Sequence, residues 1–306
     1  MYPLKFQPIY KQMLWGGSKF QSLYNREIPG ADTGESWDLS CHRSGMSVVS
    51  NGALAGKTLE QLLAEYPQEI FGSGAQPKQF PLLVKLIDAN DNLSVQVHPN
   101  DDNADRAKGE NGKTEAWYIL AAEPGAKLIF GLIDGTTKEQ FAALVATGSV
   151  EQALRQVPVK TGDIISVPAG IVHALTSGVV VAEVQQNSDT TYRIYDYNRV
   201  GTDGKGRELH VDAALRVIDF GEQPAVDFSK RSILTPFFSM GEIVVDGEHS
   251  DNTNGGYLIY IVLDGCGTIS WNVGETENLT KGETILIPAA VGAVQLHGNM
   301  KILRAN

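Results

Sequence analysis

The chain has 306 residues, with 25 Lys and Arg against 36 Asp and Glu, and carries a formal charge of −11 at neutral pH. Hydrophobic residues make up 42% and charged residues 20%, which excludes a disordered or fibrous chain and fits one large or two ordinary globular domains. The acidic balance disfavours nucleic acid and anionic membrane surfaces as partners. The start, Met1-Tyr-Pro-Leu-Lys-Phe6, lacks the basic-then-apolar pattern of a signal peptide, and no apolar run nears the about 20 residues that span a bilayer. Cys41 and Cys266 stand far apart, in no disulfide or metal-ligand spacing. A soluble, cytoplasmic protein is the expectation.

Short β-branched runs between Gly and Pro turn signals predict a mainly β fold with a few inserted helices. Thr58 followed by Gln61 forms a capping box that starts the first helix. Strands are predicted over 81–87, 93–98, 114–120 and 127–131, then a helical stretch over 136–157 that Gly148 breaks in two. Strands at 163–168 and 179–185 and a helix at 211–218 follow. The last third returns to strands at 233–245, 258–263, 267–273, 284–288 and 293–296. Helical excursions among so many short strands indicate sandwiches or barrels, not a parallel α/β sheet.

The chain also repeats itself. Gly162-Asp-Ile-Ile-Ser-Val-Pro168-Ala-Gly170-Ile-Val-His173 returns as Gly282-Glu-Thr-Ile-Leu-Ile-Pro288-Ala-Ala290-Val-Gly-Ala293. Glu115-Ala-Trp-Tyr118 likewise answers to Tyr257-Leu-Ile-Tyr260. The second copy has lost both His and Glu. Two copies of one barrel follow, the first equipped for chemistry and the second stripped; residues 1–225 and 226–306 are the predicted domains.

In a strand, alternate side chains share a face, so Ser94, Gln96 and His98 point one way and Val95 and Val97 the other. Lys113, Glu115 and Trp117 share a face by the same parity, as do Glu183 and Gln185. His173 follows a Pro-x-Gly turn. Gln96, His98, Glu115 and His173 together offer an amide oxygen, two imidazoles and a carboxylate. Such a set suits a catalytic Zn²⁺, with Fe²⁺, Mn²⁺ and Co²⁺ also compatible. One carboxylate among neutral ligands leaves a divalent ion at net +1, still a Lewis acid. Any one of these His taken alone reads as a buried, satisfied residue; the conjunction on separate strands, and its joint loss in the repeat, is what points to a metal. His210, His249 and His297 have no such setting, and His42 is undecided. Downstream, Arg193 and Arg199 lie among tyrosines next to Asp196. They either stack and pair there or form, with Lys113, a cationic patch for phosphate.

Several segments resemble type I mannose-6-phosphate isomerases, especially their short bacterial form. They are Gly34-Glu-Ser-Trp37, Phe80-Pro-Leu-Leu-Val-Lys85-Leu-Ile-Asp88, Leu93-Ser-Val-Gln-Val-His98-Pro, Gly112-Lys-Thr-Glu115-Ala-Trp, Val167-Pro-Ala-Gly-Ile-Val-His173 and Ser188-Asp-Thr-Thr-Tyr-Arg193. The likeness covers nearly the whole chain and is strongest from about Pro81 to Arg199. It implies two cupin (jelly-roll β-barrel) domains, the second degenerate and metal-free. It also implies one divalent metal per chain, zinc first, on Gln96, His98, Glu115 and His173. Arg193 becomes a catalytic or substrate-orienting residue, and Ser94, Lys113, Glu183 and Arg199 fall at active-site positions. Longer members carry Lys where this chain has Arg199, and a larger helical insertion. The implied reaction interconverts mannose 6-phosphate and fructose 6-phosphate through an enediolate. Glu183 is the expected proton-transferring base, with Lys113 or a water on the metal as alternatives. Lys113 and Arg193 are expected to stabilise the anion, and Ser94 and Arg199 to hold the phosphate. Another metal-dependent cupin enzyme (a glucose-6-phosphate isomerase or a dioxygenase) and a sugar-binding bicupin regulator are the competing readings. The oligomeric state stays open.

Overall fold

The computed structural model describes residues 1–74, 76–105, 109–201 and 204–306. Its first half pairs two antiparallel sheets. One runs in the order Ile164–Val167, Glu115–Ala122, Val179–Gln186, Leu82–Ala89, Thr33–Leu39, Ile9–Gly17. The other runs Leu154–Pro158, Lys127–Leu132, His173–Leu175, Val95–Val97, Tyr192–Tyr195. Between them lies an apolar floor that includes Trp15, Ile87, Leu128, Phe130, Ile165 and Val181. The second half is a curled seven-stranded sheet whose long strands are Ser239–Asn252, Leu258–Asn272 and Ala293–Ala305. The N-terminal strand Leu4–Lys5 crosses over to pair with Thr284–Ile287 of that sheet.

Strand parity explains how one central strand serves two layers. Val179–Gln186 is buried along its whole length. Val179 and Val181 enter the first barrel's floor, while Val180, Ala182 and Val184 pack outward against the N-terminal helices and the second sheet. Val95 and Val97 likewise turn away from the barrel interior and pack with Phe141 and Ile194. The capping box at Thr58 forms, with Gln61 N donating to Thr58 Oγ1 at 3.1 Å and Thr58 N to Gln61 Oε1 at 2.9 Å.

Three stretches differ from the sequence expectation. After the helix Lys138–Ala146, the segment beyond Gly148 makes one 3₁₀ turn, Val150–Ala153, and then the edge strand Leu154–Pro158. Pro158 cannot continue a helix, and pairing with Lys127–Leu132 outweighs the local helical pattern. In the last third, two expected strands fuse into Leu258–Asn272. The register shifts between Val262 and Asp264, and just beyond it Gly265, at φ 76°, lets the strands approach; a Cβ on it would lie 2.1 Å from Asn299 O. Conversely, the run at 233–245 splits at a turn in which Thr235 Oγ1 accepts from Phe237 N and Phe238 N.

The repeat is built alike in both halves. Gly162 and Gly282 both take positive φ, 92° and 87°. Asp163 Oδ2 accepts from Lys160 N at 2.9 Å, and Glu283 Oε2 from Thr280 N at 2.7 Å. Their interiors differ. The second sheet encloses Tyr260, Val262, Leu296 and Ile302 in an apolar core.

Candidate metal centre and catalytic cavity

Antiparallel register places two rows of side chains at the end of the first barrel. In the five-stranded sheet, His173 lies opposite Gln96, and Gln96 opposite Arg193. In the six-stranded sheet, Trp117 lies opposite Glu183, Glu183 opposite Lys85, and Lys85 opposite Trp37. Directly opposed residues share a face, so both rows line one cavity of about 300 Å³. Its walls include Ser94, Gln96, Lys113, Glu183, Lys85 and Arg193.

Behind the cavity-lining side chains of Gln96 and Lys113, His98, Glu115 and His173 bring ligand atoms within 4.8 Å of one another. All three are buried. Each carboxylate oxygen faces one imidazole: Oε2 is 3.3 Å from His98 Nε2 and Oε1 is 3.3 Å from His173 Nε2. The other ring nitrogens are 2.9 Å from backbone carbonyls, His98 Nδ1 from Thr190 O and His173 Nδ1 from Ile171 O. A carbonyl can only accept, so each Nδ1 carries the proton and each Nε2 presents a lone pair. Burial, then Lys113, pulls His98 down to about 3, and burial lowers His173, so both rings are neutral near pH 7. Lone pairs therefore converge on one point, and neither oxygen of Glu115 accepts a well-formed hydrogen bond among the described residues. A divalent cation fits that donor set.

Gln96 borders the triad but turns its Nε2 toward His173 Nε2, at 3.3 Å, and its Oε1 toward Ser94 Oγ, at 3.4 Å. Ligation through Oε1 takes a half-turn of the amide. Lys113 Nζ stands 2.7 Å from Glu115 Oε2 and 3.1 Å from His98 Nε2. Burial opposes its charge, but Glu115 and Glu183 hold its pKa above the ordinary lysine value. Burial also opposes the Glu115 carboxylate; Lys113 wins, and Glu115 stays well below the usual range.

Glu183 is poised differently. Its Oε2 accepts from Trp117 Nε1 at 2.9 Å, while Oε1 accepts nothing among the described residues. Burial and the charge of Glu115 push its carboxyl above the ordinary value, against Lys113 and Lys85. Lys85, which sequence reasoning left without a role, is buried with Nζ 3.6 Å from Glu183 Oε1, 3.8 Å from Glu35 Oε2 and 4.9 Å over the Trp37 ring. A lone Lys inside Leu83-Val-Lys85-Leu-Ile87 is the signal that could have found it, since a fully apolar strand buries an ammonium only beside partners.

The arginines part company. Arg193 lines the cavity and donates through Nη1 to Glu208 O at 2.8 Å. Arg199 lies outside the lining and is tied to Asp196 Oδ1 at 2.6 Å and to Asn92 O at 2.5 Å. Arg207, not singled out from the sequence, lines the cavity. His42 is not part of the ligand cluster; its Nε2 stands 3.4 Å from Glu110 Oε1. His210 Nδ1 accepts from Arg193 N at 3.2 Å, a structural bond.

Comparison with known proteins agrees with this architecture. Residues 3–123 match the description of the phosphomannose isomerase type I catalytic domain, and residues 230–306 that of the mannose-6-phosphate isomerase cupin domain. A probable mannose-6-phosphate isomerase of Bacillus subtilis is 41% identical, covering 99% of this chain and 98% of the relative. A mannose-6-phosphate isomerase of Streptococcus mutans is 36% identical over the same shares. The crystal structure of the mannose 6-phosphate isomerase from Bacillus subtilis superposes with a TM-score of 0.93 at 34% identity, covering 100% of both chains. With cupin-type barrels, a buried ligand cluster and full-length relatives all in agreement, the chain belongs to the type I phosphomannose isomerase family.

Proposed function

We propose that this chain is a metal-dependent aldose–ketose isomerase that interconverts mannose 6-phosphate and fructose 6-phosphate. The observation that carries the reading is a cation-seeking His98–Glu115–His173 cluster joined through Lys113 to an unsatisfied, cavity-lining carboxylate at Glu183. Zinc is the ion we assign, one per chain, with Gln96 as its fourth ligand; mixed nitrogen and oxygen donors with room for substrate favour it. Bound there, the ion would act as a Lewis acid toward the sugar oxygens.

The protein's own groups do the rest. Glu183 takes the proton from one of C1 and C2 and returns it to the other, while the hydroxyl proton passes between O1 and O2; its raised pKa suits a group that must accept a proton and then return it. Trp117 Nε1 fixes the carboxylate's direction and leaves Oε1 free to work. Lys113 and Lys85 flank it at 3.9 and 3.6 Å and donate toward the developing enediolate oxygens. Arg193, in register beside Gln96, orients the reacting end, and Ser94 hydrogen-bonds the sugar. Binding of the remote phosphate holds C1 and C2 against these groups.

We assign residues 1–225 to the catalytic domain and 226–306 to a metal-free cupin, since the ligand cluster lies in the first and an apolar core fills the second. A cytoplasmic location is proposed as well: both cysteines are free, and no described helix is long and apolar enough to cross a membrane. The deciding experiment is a coupled assay on mannose 6-phosphate before chelation, after chelation and after zinc restoration. Activity that is lost and then regained supports the reading. Ligand-induced stabilisation without turnover would instead mark a binding protein.

A further inference from the structure

Arg207 occupies a distinctive position. The segment that carries it folds back along the strand Tyr192–Tyr195: Val200 bridges Gly206, His210 N donates to Arg193 O at 2.7 Å, and Arg193 Nη1 donates to Glu208 O. This brings Arg207 beside Arg193 in the wall of the cavity. One edge of the guanidinium is already used. Nε donates to Asp196 Oδ2 at 2.8 Å and Nη2 to Asp196 Oδ1 at 2.5 Å. Nη1 has no hydrogen-bond partner among the described residues, so the edge it shares with Nη2 is open.

Asp196 does not line the cavity; it sits behind the arginines and is also held by Arg199. Three carboxylates line the cavity with Arg193 and Arg207: Glu35 and Glu183, both beside Lys85, and Asp189. The crowding is felt. Burial, and then the charges of Arg207 and Arg199, lower the pKa of Arg193 despite Asp196. An anion between the two guanidinium groups would relieve that repulsion. A phosphoryl group also matches a guanidinium edge in geometry, which a carboxylate-anchored Arg presents without ordering cost.

We propose that Arg207 is the phosphate-recognition residue of this chain, its open guanidinium edge meeting the substrate's phosphoryl oxygens, with Asp196 as the positioning residue that aims it. This rests on the sugar-phosphate reading above and assigns the contact to Arg207, whereas Arg199 acts only through Asp196. Specificity for the phosphorylated sugar over the free sugar then comes from a residue outside the reacting end.

The test uses the full-length, metal-loaded protein with Arg207→Ala and Arg207→Lys. The expected result is a KM for mannose 6-phosphate raised about 10- to 100-fold in Arg207→Ala, with kcat changed less than about threefold. The inhibition constant of inorganic phosphate rises by the same factor, and Arg207→Lys, which keeps the charge but not the fork, falls between. A KM and phosphate inhibition constant within about twofold of the parent overturn the assignment, as does a fall in kcat at unchanged KM. Should Arg207→Ala not fold, Arg207→Lys is read alone by the same criteria. Should the parent not isomerise mannose 6-phosphate, the reaction assignment fails, and the melting-temperature shift with inorganic phosphate, parent against Arg207→Lys, still decides the role of Arg207. No shift in the parent overturns it; a shift that Arg207→Lys reduces supports it.

Discussion

Replacing Glu183 with Gln separates proton transfer from every other property of that side chain. The residue is 3% exposed, and Gln has the same shape. Its carbonyl oxygen can keep the 2.9 Å bond from Trp117 Nε1, so the cavity wall is preserved. The loss is the ability to take and return a proton, which costs about 10²- to 10⁴-fold in kcat, or about 3–5 kcal/mol of transition-state stabilisation, with little change in KM. Stability moves in the opposite direction. Glu35, Glu115 and Glu183 face Lys85 and Lys113, so the metal-free cluster carries one net negative charge, and the variant none. Burial and Glu115 raise the Glu183 carboxyl above its unfolded value of 4.5. A carboxyl raised in this way contributes stability that is complete below the unfolded pKa and disappears as pH rises through the folded pKa. Glu183→Gln is therefore more stable than the parent at neutral pH, with the gap opening above about pH 4.5 and absent below it. Coupled isomerisation kinetics and urea unfolding of the chelated proteins across pH measure the two effects. A kcat within about threefold of the parent removes Glu183 from the proton transfer, and a variant less stable than the parent at pH 7 refutes the electrostatic account.

Other outcomes follow from the same contacts. Metal analysis finds about one divalent ion per chain, and His173→Ala lowers metal affinity about 10-fold or more, whereas Gln96→Ala lowers it less, because the amide must turn before it ligates; two equivalents per chain would contradict the apolar core of the second sheet. Lys85→Met removes an ammonium that pulls the Glu183 pKa down, so the acid limb of the kcat/KM profile moves to higher pH while kcat falls about 10²-fold; an unmoved limb would show that another group titrates. The buried pair Arg26–Asp38, at 2.6 Å, links the first half to Thr284, whose Oγ1 donates to Asp38 Oδ2 at 2.9 Å, and Arg26 also donates to Gly282 O. Asp38→Ala leaves that guanidinium buried without its carboxylate and costs about 3–5 kcal/mol in chemical denaturation; a loss below about 1 kcal/mol would mean the contact between the halves does not depend on it.

Local pattern carried a good part of this site. Ser94-Val-Gln96-Val-His98 alternates with period two, and a strand of that pattern can bury Val95 and Val97 only by turning the polar residues to the opposite face. The Gly–acid turns at Gly162 and Gly282 are equally local, since a positive φ and a carboxylate capping an amide three residues back involve one loop each. Periodicity failed where a distant partner decided the matter. Residues 154–158 are helical by pattern and a strand by virtue of Lys127–Leu132 beside them, and the need for glycine at 265 comes from how closely Asn299 approaches.

Residue order was thus enough to settle strand faces, turn chemistry and the kinds of ligand on offer, because each depends on neighbours a few positions away. Which side chains meet was decided by antiparallel register between strands far apart in the chain. That register aligned His173, Gln96 and Arg193 in one row and set Lys85 beside Glu183. Register is fixed by packing of the whole barrel, a cooperative property that no single segment encodes.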